Sequence, residues 1–268
     1  MNNAPFISGH ISSSDQGVFA FPIYDEAVAK ALSETGGWAT EEIQMLERLV
    51  NQDDEVLIVG GHLGTVAIPI SRAVKKVTVV EANPDIYKYL TVNLLLNEVN
   101  NVEPLNVLAS ENEGFVQFLI GGANSGGSKI YPRNPHPHYL ENVRRVVELR
   151  SSRLDDCFPN RKFRLVFMDI EGSEYFALKG MPNILAASEI LFVEFIPNHL
   201  KYVAAIDSNQ FAELISGFFN YLFIPGLGVY VERDNFASML GRLYDLNYSQ
   251  DQIVFTKQLV DIQSVRGR

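Results

Sequence analysis

Three short runs hold the residues best able to do chemistry. Gly60-Gly61-His62-Leu63-Gly64 follows the apolar run Val56–Val59. Glu81 closes a second apolar run, Val77–Val80, and leads into Ala82, Asn83 and Pro84. Asp169, Glu171 and Glu174 cluster just beyond a third, Leu165–Met168. A glycine turn ahead of a helix lets a ligand approach bare backbone and meet free N–H groups. The same turn also serves a strand-to-helix connection that binds nothing. A carboxylate closing the next strand, 17 positions beyond Gly64, can accept two hydrogen bonds from a ribose diol. Asp169 and Glu171 leave a strand too apolar to lie anywhere but the sheet centre. They could orient an amine, receive a substrate proton or hold a divalent ion. Glu174 falls in the first turn of the next helix, where the dipole favours negative charge, and that structural role is preferred for it.

Alternating elements must position these groups. The pattern predicts strands at 55–59, 76–80, 101–108, 163–168 and 190–195, with helices at 63–74, 84–97 and 173–179 between them. Helices at 211–219 and 237–246 and strands at 229–231 and 252–256 follow. Strands separated by helices pair in parallel through right-handed crossovers, and unbroken apolar strands are covered on both faces. The expected class is therefore α/β, a doubly wound and mainly parallel seven-stranded sheet. Ahead of it, residues 1–52 form a helical lead-in packed on the core. Residues 1–22 are mixed and loosely organised, Ala27, Val28, Ala31 and Leu32 mark one helix, and Thr40-Glu41-Glu42-Ile43 starts another. Residues 53–268 form the main domain. Within it, 111–152 breaks the rhythm with Phe115–Ile120, a Gly/Ser-rich turn and Val143–Leu149. It reads as an antiparallel insertion over the sheet. Ile130–Tyr139, with three prolines and two histidines, reads as an irregular loop.

The bulk numbers narrow the partners. The chain has 268 residues, 47% of them hydrophobic, and a formal net charge of -10. Such a chain repels phosphate backbones unless it carries a concentrated basic patch. Arg144-Arg145 and Arg161-Lys162-Phe163-Arg164 read as solvated faces, so no nucleic acid is expected. Met1–Phe6 lacks a leader pattern and no apolar run is long enough to span a bilayer, so a cytoplasmic protein without membrane association is expected. A single cysteine, Cys157, allows no intramolecular disulfide and no cysteine metal cluster. No metal is expected, and a homodimer is left open.

A family resemblance rests on longer motifs. Leu154-Asp155-Asp156, Met168-Asp169-Ile170-Glu171-Gly172-Ser173-Glu174 and Ala177-Leu178-Lys179-Gly180 resemble the signature of FkbM-type methyltransferases. Asn124–Ser128 is similar to that family's Asn/Gly-rich turn, and Leu191–Phe195 to its fifth strand. The resemblance implies a class I, Rossmann-like methyltransferase fold and S-adenosylmethionine as cofactor. It implies transfer to a hydroxyl oxygen of a small molecule, natural product or saccharide. Gly60, Gly61, His62 and Gly64 would line the methionine end. Glu81 would hold the ribose, with Ala82 and Asn83 beside it, and Ala109 and Ser110 would lie near the adenine. Asp169 would sit beside the transfer centre, with Glu171 and His62 as further catalytic candidates. The family pattern places an acid where Ile58 stands and asparagine where His62 stands.

Two other readings compete. A nicotinamide-dependent oxidoreductase shares the glycine turn and Glu81 but leaves Asp169-Ile170-Glu171-Gly172 unexplained. A non-catalytic module that kept the fold is suggested by Ile58. His136 and His138 flank Pro137 and could face one pocket, although a loop histidine is more often solvated. His10 and His199 carry no context, and Trp38 reads as core or lid packing.

Overall fold

Unbroken apolar runs need cover on both faces, and four of them, together with one mixed edge strand, pair in parallel in the main sheet. They are β1 (Glu55–Val59), β2 (Lys76–Glu81), β3 (Val102–Asn106), β4 (Leu165–Met168) and β5 (Ile190–Phe195). Three antiparallel strands extend it: β6 (Tyr221–Ile224), β7 (Val229–Glu232) and β8 (Gln250–Thr256). The order is β7-β6-β8-β5-β4-β1-β2-β3. This computed structural model describes residues 8–260 and 262. The opening Met1–Phe6 and the side chain of Leu32 lie outside the described residues.

The sheet has eight strands where seven were expected. Tyr221–Ile224 is a four-residue apolar run close behind the helix Ser208–Ser216, too short to announce its own period. It is bonded between β7 and β8. The order reverses beside β1, which lies between β4 and β2, and ligands of doubly wound sheets bind at such a reversal. Val59 pairs with Met168 on one side and Val80 on the other. Gly60, Glu81 and Asp169 therefore leave three adjacent strands at one level.

Alternation divides the core. Leu57, Val59, Val166 and Met168 pack beneath the insertion and the C-terminal helices. Val56, Ile58, Leu165 and Phe167 pack beneath the lead-in, against Phe19, Phe21, Val28, Ile43 and Leu46. The lead-in holds helices α1 (Glu26–Thr35) and α2 (Thr40–Leu49). Helix α3 covers only Ala67–Ser71, shorter than the expected 63–74. Gly64, whose φ of 87° lies outside the helical region, delays the start, and beyond Ser71 the bonds tighten, Arg72 N donating to Pro69 O and Ala73 N to Ile70 O.

Residues 9–22 are not loose. Gly9–Ser14 and Gly17–Pro22 form a hairpin, held by the helix α4 (Pro84–Leu96) and its C-cap. Asn93 and Asn97 stand one turn apart on the same face, and Val18 and Ala20 stand two apart on the strand edge. Asn93 accepts from Ala20 N at 2.6 Å and donates to Ala20 O at 3.0 Å. Asn97 accepts from Val18 N at 2.9 Å and donates to Val18 O at 2.7 Å. The two amides bond this edge as a neighbouring strand would. The insertion is a four-stranded sheet built on the pair Gly114–Gly121 and Val143–Ser152, with short strands Leu108–Ala109 and Lys129–Ile130. Within the expected loop, Pro137–Leu140 is a short helix. No helix among the described residues is long and apolar enough to cross a membrane.

Asn93 is 0% exposed and also donates to Leu63 O. Asn93→Ala would orphan several buried backbone groups. Urea unfolding is expected to show a loss of about 3 kcal/mol; a loss below about 1 kcal/mol would mean that the amide does not hold the hairpin.

Candidate active site

Glu81 joins two turns. One carboxylate oxygen accepts from His62 N and the other from Asn83 N, each at 2.7 Å. The group is 8% exposed. Burial pushes its carboxyl up to about 7, against the pull of the Asn83, His62 and Ala82 N–H groups. Asn83 in turn caps α4, accepting from Asp85 N and Ile86 N, and its amide reaches Ser128 Oγ at 3.3 Å.

The glycines serve packing first. A Cβ on Gly60 would collide with the Asp169 carbonyl oxygen, and one on Gly61 with Val79. Gly60 also has φ of 94°, which side chains rarely adopt. Gly64 packs against Leu90 and Ile68 and lies off the cavity wall. Gly60 nonetheless separates two openings. On one side is a cavity of about 350 Å³ whose wall includes Gly61, His62, Phe167, Asp169 and Glu171. On the other is a narrow apolar cleft of about 30 Å³ between Val80, Ala82, Ala109, Phe118 and Ile130. Ser110 lies outside that cleft, and its carbonyl packs against Gly180.

His62 is locked from outside the sheet. Its Nε2 lies 2.6 Å from Ser125 Oγ, in the turn of the insertion. Ser125 Oγ donates to the Asp25 carboxylate, and Asp25 also caps α1 by accepting from Val28 N at 3.0 Å. With the serine proton on Asp25, Nε2 carries the histidine hydrogen and Nδ1 is left as an acceptor. Burial lowers the His62 pKa to about 4, although Asp25 and Glu171 pull the other way.

A wall of acids faces this histidine. No described residue donates a hydrogen bond to the Asp169 carboxylate, and burial, then Glu194 and Glu171, hold its pKa well above the usual range. Glu171 is paired with Lys129 at 3.0 Å and lies 3.6 Å from His199 Nε2. His199 Nδ1 meets Glu194 at 3.0 Å. Glu174 is 2% exposed and accepts from Ile170 N and Gly172 N. Its role is thus structural, a clamp on the strained turn where Glu171 has φ of 57°. The described residues hold no group of three or more His, Cys, Asp or Glu arranged to bind a metal ion.

Several site residues have no chemical signal of their own in the sequence, although Ser125 and Glu194 lie in the runs likened to the family's turn and fifth strand. Asp25 and Ser125 are 100 positions apart. His199, Glu194, Glu42, Asp251 and Gln252 reach the site only through the fold. Trp38 lines the cavity with its ring 6.3 Å from that of His62, which is lid packing in contact with the site. His136 caps the short helix and stacks on Tyr202, while His138 lines a neighbouring cavity with Lys129 and His199. Ile58 is 0% exposed in the apolar core.

A sheet of this order, with a glycine turn after β1 and acids closing β2 and following β4, is the class I methyltransferase architecture. The Methyltransferase FkbM domain matches residues 59–225, more than half of the chain, and the chain belongs to that family. It is an S-adenosylmethionine-dependent methyltransferase. No curated protein matches it. Among solved structures, a TehB-like SAM-dependent methyltransferase from Corynebacterium glutamicum is 11% identical with a TM-score of 0.47, over 86% of this chain and 95% of that one. A Streptococcus mutans protein in complex with SAH is 8% identical with a TM-score of 0.45, over 81% and 96%. An rRNA methylase from Streptococcus thermophilus is 13% identical with a TM-score of 0.44, over 82% and 95%. Family membership rests on the matched domain, not on these likenesses.

The lining suits the cofactor's parts. The cleft is apolar, as a base requires, and the cavity is acid-lined, as a sulfonium and an ammonium require. Glu81 keeps acceptor capacity beyond its two N–H bonds.

His62 is expected to stay neutral from pH 8 down to about 5 in nitrogen-detected NMR, with Nε2 protonated. Because its folded pKa lies below the usual 6.5, stability should fall as pH drops from 6.5 towards 4. Ser125→Ala should lose the preference for the Nε2-protonated tautomer in the same spectra, and a wild-type His62 ring protonated at Nδ1 would contradict the lock.

Proposed function

We propose that this methyltransferase acts on a hydroxyl oxygen of a small molecule or saccharide. The carrying observation is Asp169, which lines the cavity with Gly60 and whose carboxylate has no donor among the described residues. When bound, the cofactor supplies a methyl group already activated by its sulfonium, so alignment provides much of the acceleration. With the cofactor bound, Asp169 would receive the proton of the acceptor hydroxyl on a carboxylate oxygen. Glu171 is a weaker candidate, being paired with Lys129. His62 is a poor base at its lowered pKa. Trp38 and Phe167 give the cavity an apolar side that excludes water.

The ribose role of Glu81 and the adenine role of the Ala82–Ala109 cleft belong to the same proposal. The cleft is narrower than a purine, so base entry requires Phe118 and Ile130 of the insertion to shift. The acceptor is not a nucleic acid on this reading. Arg161 pairs with Glu55 and Glu103, Arg145 pairs with Asp85, and Arg144 stacks on Tyr24. A second reading, cofactor binding without turnover, is favoured by Ile58, which leaves the position of the family's acid apolar.

Calorimetry should show micromolar binding of S-adenosylhomocysteine, at least tenfold weaker in Glu81→Ala, and no binding of NAD. Hydroxylated acceptors screened with S-adenosylmethionine should gain a methyl group by mass spectrometry. Asp169→Asn should lower kcat by on the order of 10²–10⁴-fold and remove the rise of rate with pH that proton acceptance requires. Cofactor binding with no transfer to any hydroxyl would favour the second reading.

A further inference from the structure

A second cavity, of about 470 Å³, lies beside the insertion. The insertion supplies Lys129, Tyr139 and Asn142, and the segment that follows β5 supplies Asn198 and His199. Glu171 and Asn124 line both this cavity and the one that holds Asp169, so the two adjoin. Its size falls in the roughly 300–1,000 Å³ range of ligand pockets. On the reading above, the cofactor's own parts lie elsewhere, against the glycine turn and in the Ala82–Ala109 cleft.

Tyr139 offers this cavity a group that the fold leaves unused. The residue is 7% exposed, yet its hydroxyl bonds no described residue and is not sealed in the core. Buried phenols usually find a partner. Burial, then Glu171 and Glu194, hold the hydroxyl above the usual phenol range, so it stays a neutral donor. The ring itself is occupied: Lys129 Nζ lies 5.4 Å from its centroid, and the His199 ring meets it edge-on at 5.5 Å. What Tyr139 presents to a ligand is therefore its hydroxyl. The Asn198 side chain caps no helix, and neither it nor that of Asn142 bonds a described residue.

The inner charges of the cavity are matched by neighbours. Glu171 pairs with Lys129, and His199 with Glu194. The other titratable lining residues, His138 and Glu141, are exposed to water. A charged ligand would have to compete with these pairs, and an apolar one would leave the phenol and the amides unsatisfied. A phenol and two amides each donate and accept, which suits a ligand with several neutral hydroxyls.

We propose that Tyr139, Asn142 and Asn198 form the acceptor subsite, and that its ligand is an uncharged sugar of one or two rings that presents one hydroxyl past Glu171 to the cavity of Asp169. This rests on the proposed hydroxyl acceptor; it adds the place where that acceptor binds and selects the neutral polyol among the acceptors considered.

The full chain with isotope-labelled tyrosine rings is titrated by NMR, with and without saturating S-adenosylhomocysteine. The probes are the methyl glycosides of glucose, galactose and mannose, with maltose and cellobiose, and with methyl glucuronide and glucosamine as charged comparisons. At least one neutral sugar should shift the Tyr139 signal, which is assigned by its loss in Tyr139→Phe, at millimolar or lower concentration in both states. The charged probes should bind at least fivefold more weakly than the best neutral sugar. Tyr139→Phe keeps the ring and removes only the hydroxyl; read on the sugar's own signals, it should weaken that sugar at least fivefold, and Asn198→Ala should do the same. Affinity for S-adenosylhomocysteine should stay within twofold in both variants, which shows that they fold. No Tyr139 shift with any of these sugars, binding that both variants leave intact, or a charged probe that binds best would overturn the proposal. So would displacement of the sugar by S-adenosylhomocysteine, because the site would then be the cofactor's. Binding is read without transfer, so a sugar that binds at Tyr139 and is never methylated would count against the hydroxyl reading instead.

Discussion

Much of the site depends on one buried carboxylate. Glu81 takes the His62 N–H from the turn after β1 and the Asn83 N–H from the turn after β2. It thereby fixes the glycine turn against the neighbouring strand and sets the start of α4. Burial outweighs these bonds, and the carboxyl is raised from 4.5 to about 7. Between those values the folded chain keeps a proton that the unfolded chain has lost. Stability therefore falls as pH rises through that window, by on the order of 3 kcal/mol. A ligand diol donating to the same carboxylate would favour its charged form, so a group that costs stability in the fold is one that binding can use.

The second constraint is closure from two sides. The lead-in supplies Asp25 and the insertion supplies Ser125, and both converge on the His62 ring. The same turn of the insertion receives Glu26 N on Ala123 O at 2.9 Å, so α1 and the insertion are joined directly. Segments that resemble appendages in the chain thus form the walls of the site. The glycine turn is held beneath them by contacts that leave no room for side chains at Gly60 and Gly61.

Legibility in the sequence followed locality. The glycine turn, Glu81 and the Asp169–Glu174 run each sit at the end of a contiguous apolar strand, so their level in the sheet could be read directly. Helix α3 was overestimated because one φ at Gly64 delays its start. The hairpin at 9–22 is not legible in the sequence because its apolar face is short, Phe19 to Phe21, and its edge is held by two distant asparagine amides. Asp25, Glu42, Asp251 and His199 carry no mark of a site in the sequence, since only tertiary packing brings them together, whereas Ser125 lies in the Asn124–Ser128 turn that the family resemblance picks out. The glycines had a mixed outcome: their positions lie at the site, but backbone and side-chain packing, rather than a ligand, demands the missing Cβ atoms.

The most direct test of this account is amide hydrogen exchange with and without S-adenosylhomocysteine. The account predicts protection concentrated at the turns 60–64, 81–83 and 169–174, with a smaller effect in the 121–128 turn that locks His62. Protection confined to other segments, or none at these turns despite measured binding, would contradict a site organised around Glu81 at the ends of β1, β2 and β4.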